Sequence, residues 1–391
     1  MTTESPVARP RTTLFVVAQL VLISAAAVWA GVRIQHWQQA EKLPPLRSTP
    51  RVIAPQYDYD VVVSNQDLQE ILAKVRLTDK GAETRINQVD HSMRYWGAAV
   101  EFNESQYFSG QAMRALMTDH RLLAQRYGAE TQPLLIDAEH GVRVRVEGHV
   151  AASSHVDHTL ACLAEVGTPL DFPLVTPTRM TTYRAMLQQS LRDFSLNQTE
   201  YEWSVLAYAL YLEPNSGWTT SEGQQITFDM LARRLMREPL SRGVCFANHR
   251  MYTLAVLLRV DEQESILSPA VRQEVLDYLR EITATLVKHQ HPTYGYWNGN
   301  WPFAPPRDGE EFDTLSDRIL ATGHALEWWA IAPAELHPPR PVLAASGQWL
   351  VRTIESLDTQ GVEQNLTFLS HACRALALWR GAEPAEHYSG R

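Results

Sequence analysis

From Val156 to Arg380 the chain alternates between two kinds of helical segment, and this alternation limits its possible folds more than any other feature. One kind is apolar nearly all round, as a helix buried on every side must be. Val156–Val166, Thr199–Leu212, Val244–Val260, Leu315–Ala332 and Val362–Arg380 belong to it. The other kind carries one apolar stripe. In Arg179–Phe194 the stripe is Met180, Tyr183, Met186, Leu187 and Leu191, set against Gln188, Gln189 and Arg192. Ile226–Arg237, Pro269–Gln290 and Pro341–Ser356 follow the same pattern.

That order predicts helical hairpins with buried members inside and amphipathic members outside. The expected fold class is all-α, an α/α toroid of hairpins in an inner and an outer ring, because a closed ring needs no capping ends. An irregular helical bundle is the alternative. Upstream, amphipathic helices are expected near Gln66–Leu77 and Gly110–Tyr127. A small β-hairpin is expected where Val142, Val144 and Val146 alternate with Arg143, Arg145 and Glu147 after the turn at Asp137–Gly141.

The N-terminus sets the location. Leu14–Val32 is an uncharged run of 19 residues, which at 1.5 Å per residue nearly spans a bilayer core of about 30 Å. Arg9 and Arg11 precede it, so a cytoplasmic N-terminus and an extracytoplasmic body (periplasmic or cell surface) are expected. Val28–Ala30 would also serve as a signal-peptide cleavage site, and both readings stand. The division expected is a tail at 1–13, an anchor or signal at 14–32 and a proline-rich tether at 33–64. N-terminal helices and the hairpin would occupy 65–150, the ring core 151–381 and a flexible tail 382–391. A formal charge of −9 without a basic run argues against nucleic acid as a partner. The membrane is the partner expected for the N-terminal helix.

Histidines recur on the buried segments: His158, His249, His324 and His371, with Glu202 on the remaining one. Singly, each reads as a core histidine; together, on helices facing one hollow, they would line a ligand pocket. His324 with Glu327 three residues on is the best acid–base pair, and His249 is the third candidate catalytic group. Arg250 could hold an anion, or pair with Glu327. In "SSHVDHTLACLAEVG", Ser154 reads as an N-cap with Asp157 at the third helical position. His155 and His158 remain unexplained by capping, so His155, Asp157 and His158 are candidate rim residues. Trp297 and Trp301, in "YGYWNGNWPF", could stack on a ligand, although Trp297 reads better as a wedge between helices. No HExxH or CxxC is present, and despite the four-residue spacings His158–Cys162 and Cys245–His249 no metal is expected. No phosphate loop or dinucleotide fingerprint names a cofactor.

Two short motifs carry resemblances. "LVKHQHPTYGYWNGNWP" is similar to the helix-end motif of terpenoid cyclases and protein prenyltransferases, a Gln, a gap and Gly-x-Trp. Here Gln290 is followed after four residues by Gly295, Tyr296 and Trp297, one residue longer than that pattern. The resemblance implies a toroid; the cyclases' Asp-x-Asp-Asp cluster is absent, so it implies no cyclase chemistry. "GHALEW" resembles the Gly-His-x-x-Glu segment of the N-acylglucosamine 2-epimerases, which implies a sugar pocket lined by His324 and Glu327. The whole chain resembles a bacterial group of membrane-anchored helical proteins, which implies no reaction. The function expected is therefore binding, with or without modification, of a carbohydrate-like or other small ligand in a His-lined cavity. A non-catalytic envelope scaffold is the alternative.

Overall fold

Each of the apolar-all-round segments contains a buried helix. The computed structural model describes residues 10–40 (with side chains for 14–34), 42–146, 148–240, 245–307, 309 and 311–388. The chain begins with α1 (Pro10–Ala40), then α2 (Asn65–Lys74), α3 (Ile86–Trp96), α4 (Gly110–Thr118) and α5 (His120–Tyr127). The hairpin β1 (Leu135–Ala138) and β2 (Gly141–Val144) precedes α6 (His158–Glu165). Next come β3 (Pro173–Val175), β4 (Met180–Thr182), α7 (Tyr183–Asp193), α8 (Glu202–Tyr211), β5 (Gly217–Thr219) and β6 (Gln225–Thr227). Then follow α9 (Phe228–Arg237), α10 (Asn248–Glu264), α11 (Pro269–His289), α12 (Leu315–Ile331) and α13 (Arg340–Ser356). The described chain closes with α14 (Thr359–Gln364), α15 (Leu366–Leu378) and α16 (Pro384–His387). The strands make three separate antiparallel pairs, β1–β2, β3–β4 and β5–β6, where the sequence suggested one.

Local chemistry sets the helix ends. Ser268 caps α11 by accepting from Val271 N, with Pro269 at the first helical position, where a missing N–H costs nothing. At the start of α12, Thr314 and Asp317 form a reciprocal capping box. The expected single helix at Gly110–Tyr127 is broken at Asp119, whose backbone is extended and whose carboxylate caps α5 through Arg121 N. Likewise Val362–Arg380 divides at Asn365 into α14 and α15.

Six helices are neighbours in a closed order. α3 packs on α6, α6 on α8, α8 on α10, α10 on α12, α12 on α15, and α15 back on α3. Amphipathic helices pack against them, among them α4 on α3, α9 and α11 on α10, α13 on α12 and α2 on α15. One apolar core runs from Val62 to Trp379, so α2–α5 share it with the later helices. At α12–α15, a Cβ on Gly323 would stand 2.9 Å from the Ala372 Cα, so glycine permits that close approach. The Gln-Gly-x-Trp motif works as a clamp. Gln290 Nε2 donates to the carbonyls of Gly295 and Val342, both at 2.9 Å, and ties the end of α11 to α13.

α1 contains the 21-residue span Leu14–Ile34, long and apolar enough to cross a membrane and fully exposed along its length. It continues to Ala40, so the first residues of the expected tether are helical. The proline-rich stretch is then pinned to the body: Arg47 N and Arg51 N donate to the carbonyls of Tyr211 and Leu210 at 2.9 Å. At the other end α16 packs on α2, α3 and α15. The outermost parts of the expected tails, 1–9 and 389–391, lie outside the described residues.

Candidate functional site: a circuit of rings at the centre of the helices

Each of the six neighbouring helices places one ring at a common centre. His91 (α3) lies 4.5 Å from His158 (α6), centroid to centroid, and His158 lies 4.3 Å from Trp203 (α8). Trp203 is 4.2 Å from His249 (α10), and His249 is 4.6 Å from His324 (α12). His324 is 3.9 Å from His371 (α15), which returns to His91 at 5.3 Å. All six side chains are buried. The four histidines singled out on the buried segments do converge, and a fifth joins them.

Hydrogen bonds fix the tautomers, because a carbonyl or carboxylate only accepts. His91 Nδ1 donates to Asn87 O (2.6 Å) and Asp90 Oδ1 (2.8 Å). His158 Nδ1 donates to Asp90 Oδ2 at 2.9 Å, and His324 Nδ1 to Leu320 O at 2.9 Å. His371 Nδ1 lies between Glu327 Oε2 (2.9 Å) and Arg94 Nη1 (3.1 Å). The nearer carboxylate oxygen needs a donor and Arg94 is already committed to Glu327 Oε1 at 2.7 Å, so His371 donates to Glu327. Four imidazoles are therefore anchored through Nδ1 and carry their lone pair on Nε2.

Burial keeps His158, His249, His324 and His371 neutral. It pushes His158 and His324 down to about 4, although Asp90 and Glu327 respectively pull the other way. His249 and His371 are driven further below the ordinary range, by burial first and by neighbouring cationic or imidazole groups second. Burial raises Asp90, but His158 and His91 outweigh it and hold the carboxyl at about 2.

Beside the rings is a second, fully charged group. Arg94 Nε donates to Glu165 Oε2 at 2.5 Å. Arg374 Nη1 donates to Glu327 Oε1 (2.9 Å) and to the Tyr252 hydroxyl (3.0 Å), and Tyr252 in turn donates to Glu165. Burial alone would raise Glu327; Arg94 and Arg374 reverse this and keep it ionised.

Several expectations are corrected by these contacts. Glu327 orients His371, whereas His324 is oriented by its own helix through Leu320 O. Arg250 does not meet Glu327: it donates to the carbonyl of Glu238 at 2.5 Å, and its Nε is 3.6 Å from Glu202. Asp157 is not inside a helix capped by Ser154. It is the N-cap of α6, left-handed at φ 57°, with no capping bond. Its carboxylate instead accepts from the hydroxyls of Ser190 (2.6 Å) and Ser204 (2.5 Å), and burial raises its pKa. His155 is half-buried outside the circuit, paired with Glu200 at 2.9 Å and with its ring edge-on to His158 at 6.0 Å.

The two tryptophans are fully buried and hold neighbouring backbone. Trp297 Nε1 donates to Leu286 O at 2.8 Å, and Trp301 Nε1 to Phe246 O at 3.1 Å. In that loop Tyr294 and Phe303 are the exposed aromatics. A cavity of about 320 Å³ opens beside the first turn of α3, lined by Arg85, Asn87 and His149–Ser154 apart from Ala151. Its Asn87 is the residue whose carbonyl holds His91.

Asp90, His91, Arg94, Glu165, Tyr252 and Arg374 were not foreseen. A signal existed for the first three: in Ile86–Trp96, the apolar Ile86, Val89, Met93 and Trp96 recur at helical spacing. Comparison of the chain with family models, curated proteins and solved structures gives no match. The likeness to cyclases and epimerases thus rests on the two short motifs alone.

Proposed function

We propose that this is a membrane-anchored α/α toroid whose polar centre binds a small, hydroxyl-rich ligand of the carbohydrate kind and moves a proton to or from it. The toroid reading rests on the closed neighbour order of α3, α6, α8, α10, α12 and α15. Arg9 and Arg11 ahead of the apolar span Leu14–Ile34 favour a ring domain outside the cytoplasm.

The observation that carries the ligand reading is the ring circuit itself, with one aromatic group from each of six helices brought to one place. A histidine serving only its own helix would not need the other four. Neutral imidazoles offer an acceptor nitrogen, which suits hydroxyl donors. His371 is the best base: Glu327 orients it through Nδ1, and its buried Nε2 has no partner among the described residues. His249 and His324 stand beside it as further proton carriers or ligand contacts.

The test is a thermal-shift screen of the full chain in detergent against monosaccharides, amino sugars and their N-acetyl forms. The expected result is that at least one raises the Tm of the native chain but not of His371→Ala with native circular dichroism. A panel that shifts nothing, or a shift preserved in both His371→Ala and His324→Ala, contradicts the reading.

A further inference from the structure

Among the described residues, three clusters of donor atoms lie close enough together to share an ion: Asp90–His91–His158, His324–Glu327–His371 and Cys245–His249–His324. In the first, the carboxylate oxygens already accept from both imidazoles. The second uses a carboxylate neutralised by Arg94 and Arg374. The third holds no carboxylate, and its one hydrogen bond, between the two imidazoles, lies inside the cluster.

We propose that Cys245 Sγ, His249 Nε2 and His324 Nε2 hold one divalent ion of the zinc class. The two Nε2 atoms are 3.0 Å apart. Two nitrogens each 2.0–2.1 Å from a tetrahedral zinc stand about 3.3 Å apart, so a small outward movement completes the bite. His324 is already oriented as a ligand: its Nδ1–H is spent on the Leu320 carbonyl, and the Nε2 lone pair faces His249. An outer acceptor on the second ring nitrogen is the usual companion of a metal-bound histidine. His249 donates through Nε2 to His324 in the metal-free chain, and its buried Nδ1, without a partner among the described residues, can take that proton when Nε2 binds the ion.

The backbone carrying the thiol is unusual. Cys245, Phe246 and Ala247 are consecutive non-glycine residues in left-handed conformation, at φ 52°, 57° and 65°. Such residues are strained and persist where their surroundings enforce them. Here Asn248 Nδ2 holds the Cys245 carbonyl at 3.1 Å, and Trp301 Nε1 holds that of Phe246 at 3.1 Å. The aromatic loop thus positions the thiol, and this turn brings Cys245 back over His249 and His324. Three protein donors leave the fourth tetrahedral position for water or a ligand oxygen, the arrangement of catalytic rather than structural zinc.

This inference does not depend on the sugar reading. The full chain, purified in detergent with a non-histidine tag, is dialysed against Zn²⁺ or Co²⁺ and its metal content measured by mass spectrometry. One ion per chain is expected. Co²⁺ should give visible bands of tetrahedral intensity and a near-ultraviolet thiolate-to-cobalt band. Cys245→Ser should abolish the near-ultraviolet band and weaken Zn²⁺ binding by more than the roughly 10- to 100-fold that loss of an outer partner costs. His249→Ala and His324→Ala should do the same if they fold; Cys245, only partly buried, is the variant that keeps the test decisive. Wild-type protein that takes up neither ion, or Cys245→Ser that binds both like wild type, overturns the proposal.

Discussion

The polar centre has two halves that solve the same burial problem differently. On the guanidinium side, Arg94 and Arg374 face Glu165 and Glu327 in a charge-matched network, with Tyr252 bridging. On the imidazole side burial keeps His158, His249, His324 and His371 neutral around the ionised Asp90. Nδ1 is spent on a neighbour in four rings, and ring nitrogens of His249 and His371 are left without partners among the described residues. A buried charge survives only when paired, whereas a buried neutral imidazole can keep a nitrogen in reserve. The difference teaches where chemistry can occur: the charged half holds the helices in register, and the neutral half is free to engage something else.

The contrast is broken most severely at Glu327, which belongs to both halves. Glu327→Ala leaves two buried guanidiniums undercompensated and removes the anchor of His371. We expect a loss of about 3–5 kcal/mol in chemical denaturation of the detergent-solubilised chain. A loss below about 1 kcal/mol would mean that water already serves the arginines.

Next is the pH dependence of the neutral half. His158 stays unprotonated in the fold down to about 4, while in the unfolded chain it takes a proton below 6.5. The unfolded state therefore binds more protons in that interval, and stability falls as pH drops from 6.5 to 4. This group contributes roughly 3 kcal/mol of the fall in metal-free protein. Asp90, held at about 2, retains its charge throughout that window. Urea titrations at several pH values should give this slope, and His158→Gln should reduce it; an unchanged slope in that variant would place the titration elsewhere.

Gly323→Ala sharpens the comparison at the boundary between the halves. The added methyl group meets Ala372 and pries α12 from α15, separating the contacting rings of His324 and His371. A cost of about 1–3 kcal/mol in stability is expected, as for overpacking elsewhere. Retention of full stability would show that the helix pair yields without cost.

The smallest effect is expected at Trp301→Phe. It removes one buried hydrogen bond to Phe246 O, worth about 1 kcal/mol. Its larger consequence should be in metal content, because the turn that positions Cys245 loses a support. Equal zinc affinity in this variant would separate the aromatic loop from the site.

Much of this was legible from periodicity. The five all-round apolar segments and the striped ones became helices because a helix buried on every side leaves no other composition possible. Convergence of His158, His249, His324 and His371 followed from that placement. What the sequence hid is partnership. Glu327 lies one helical turn from His324, yet it serves His371, on α15 in a different part of the chain. Arg250 adjoins His249 in sequence but points away from the centre, because successive helical residues face about 100° apart. The α3 contribution was missed because Asp90, His91 and Arg94 make that helix look like a polar surface element, when it closes the circuit. Asp157 escaped because two serine hydroxyls from α7 and α8 compete with the capping bond.

A crystal structure of the full chain in detergent tests the central claim most directly. The account predicts a closed circuit of His91, His158, Trp203, His249, His324 and His371, with successive centroids 3.9–5.3 Å apart. Rings directed into separate dry contacts between helix pairs, with no common centre, would contradict it.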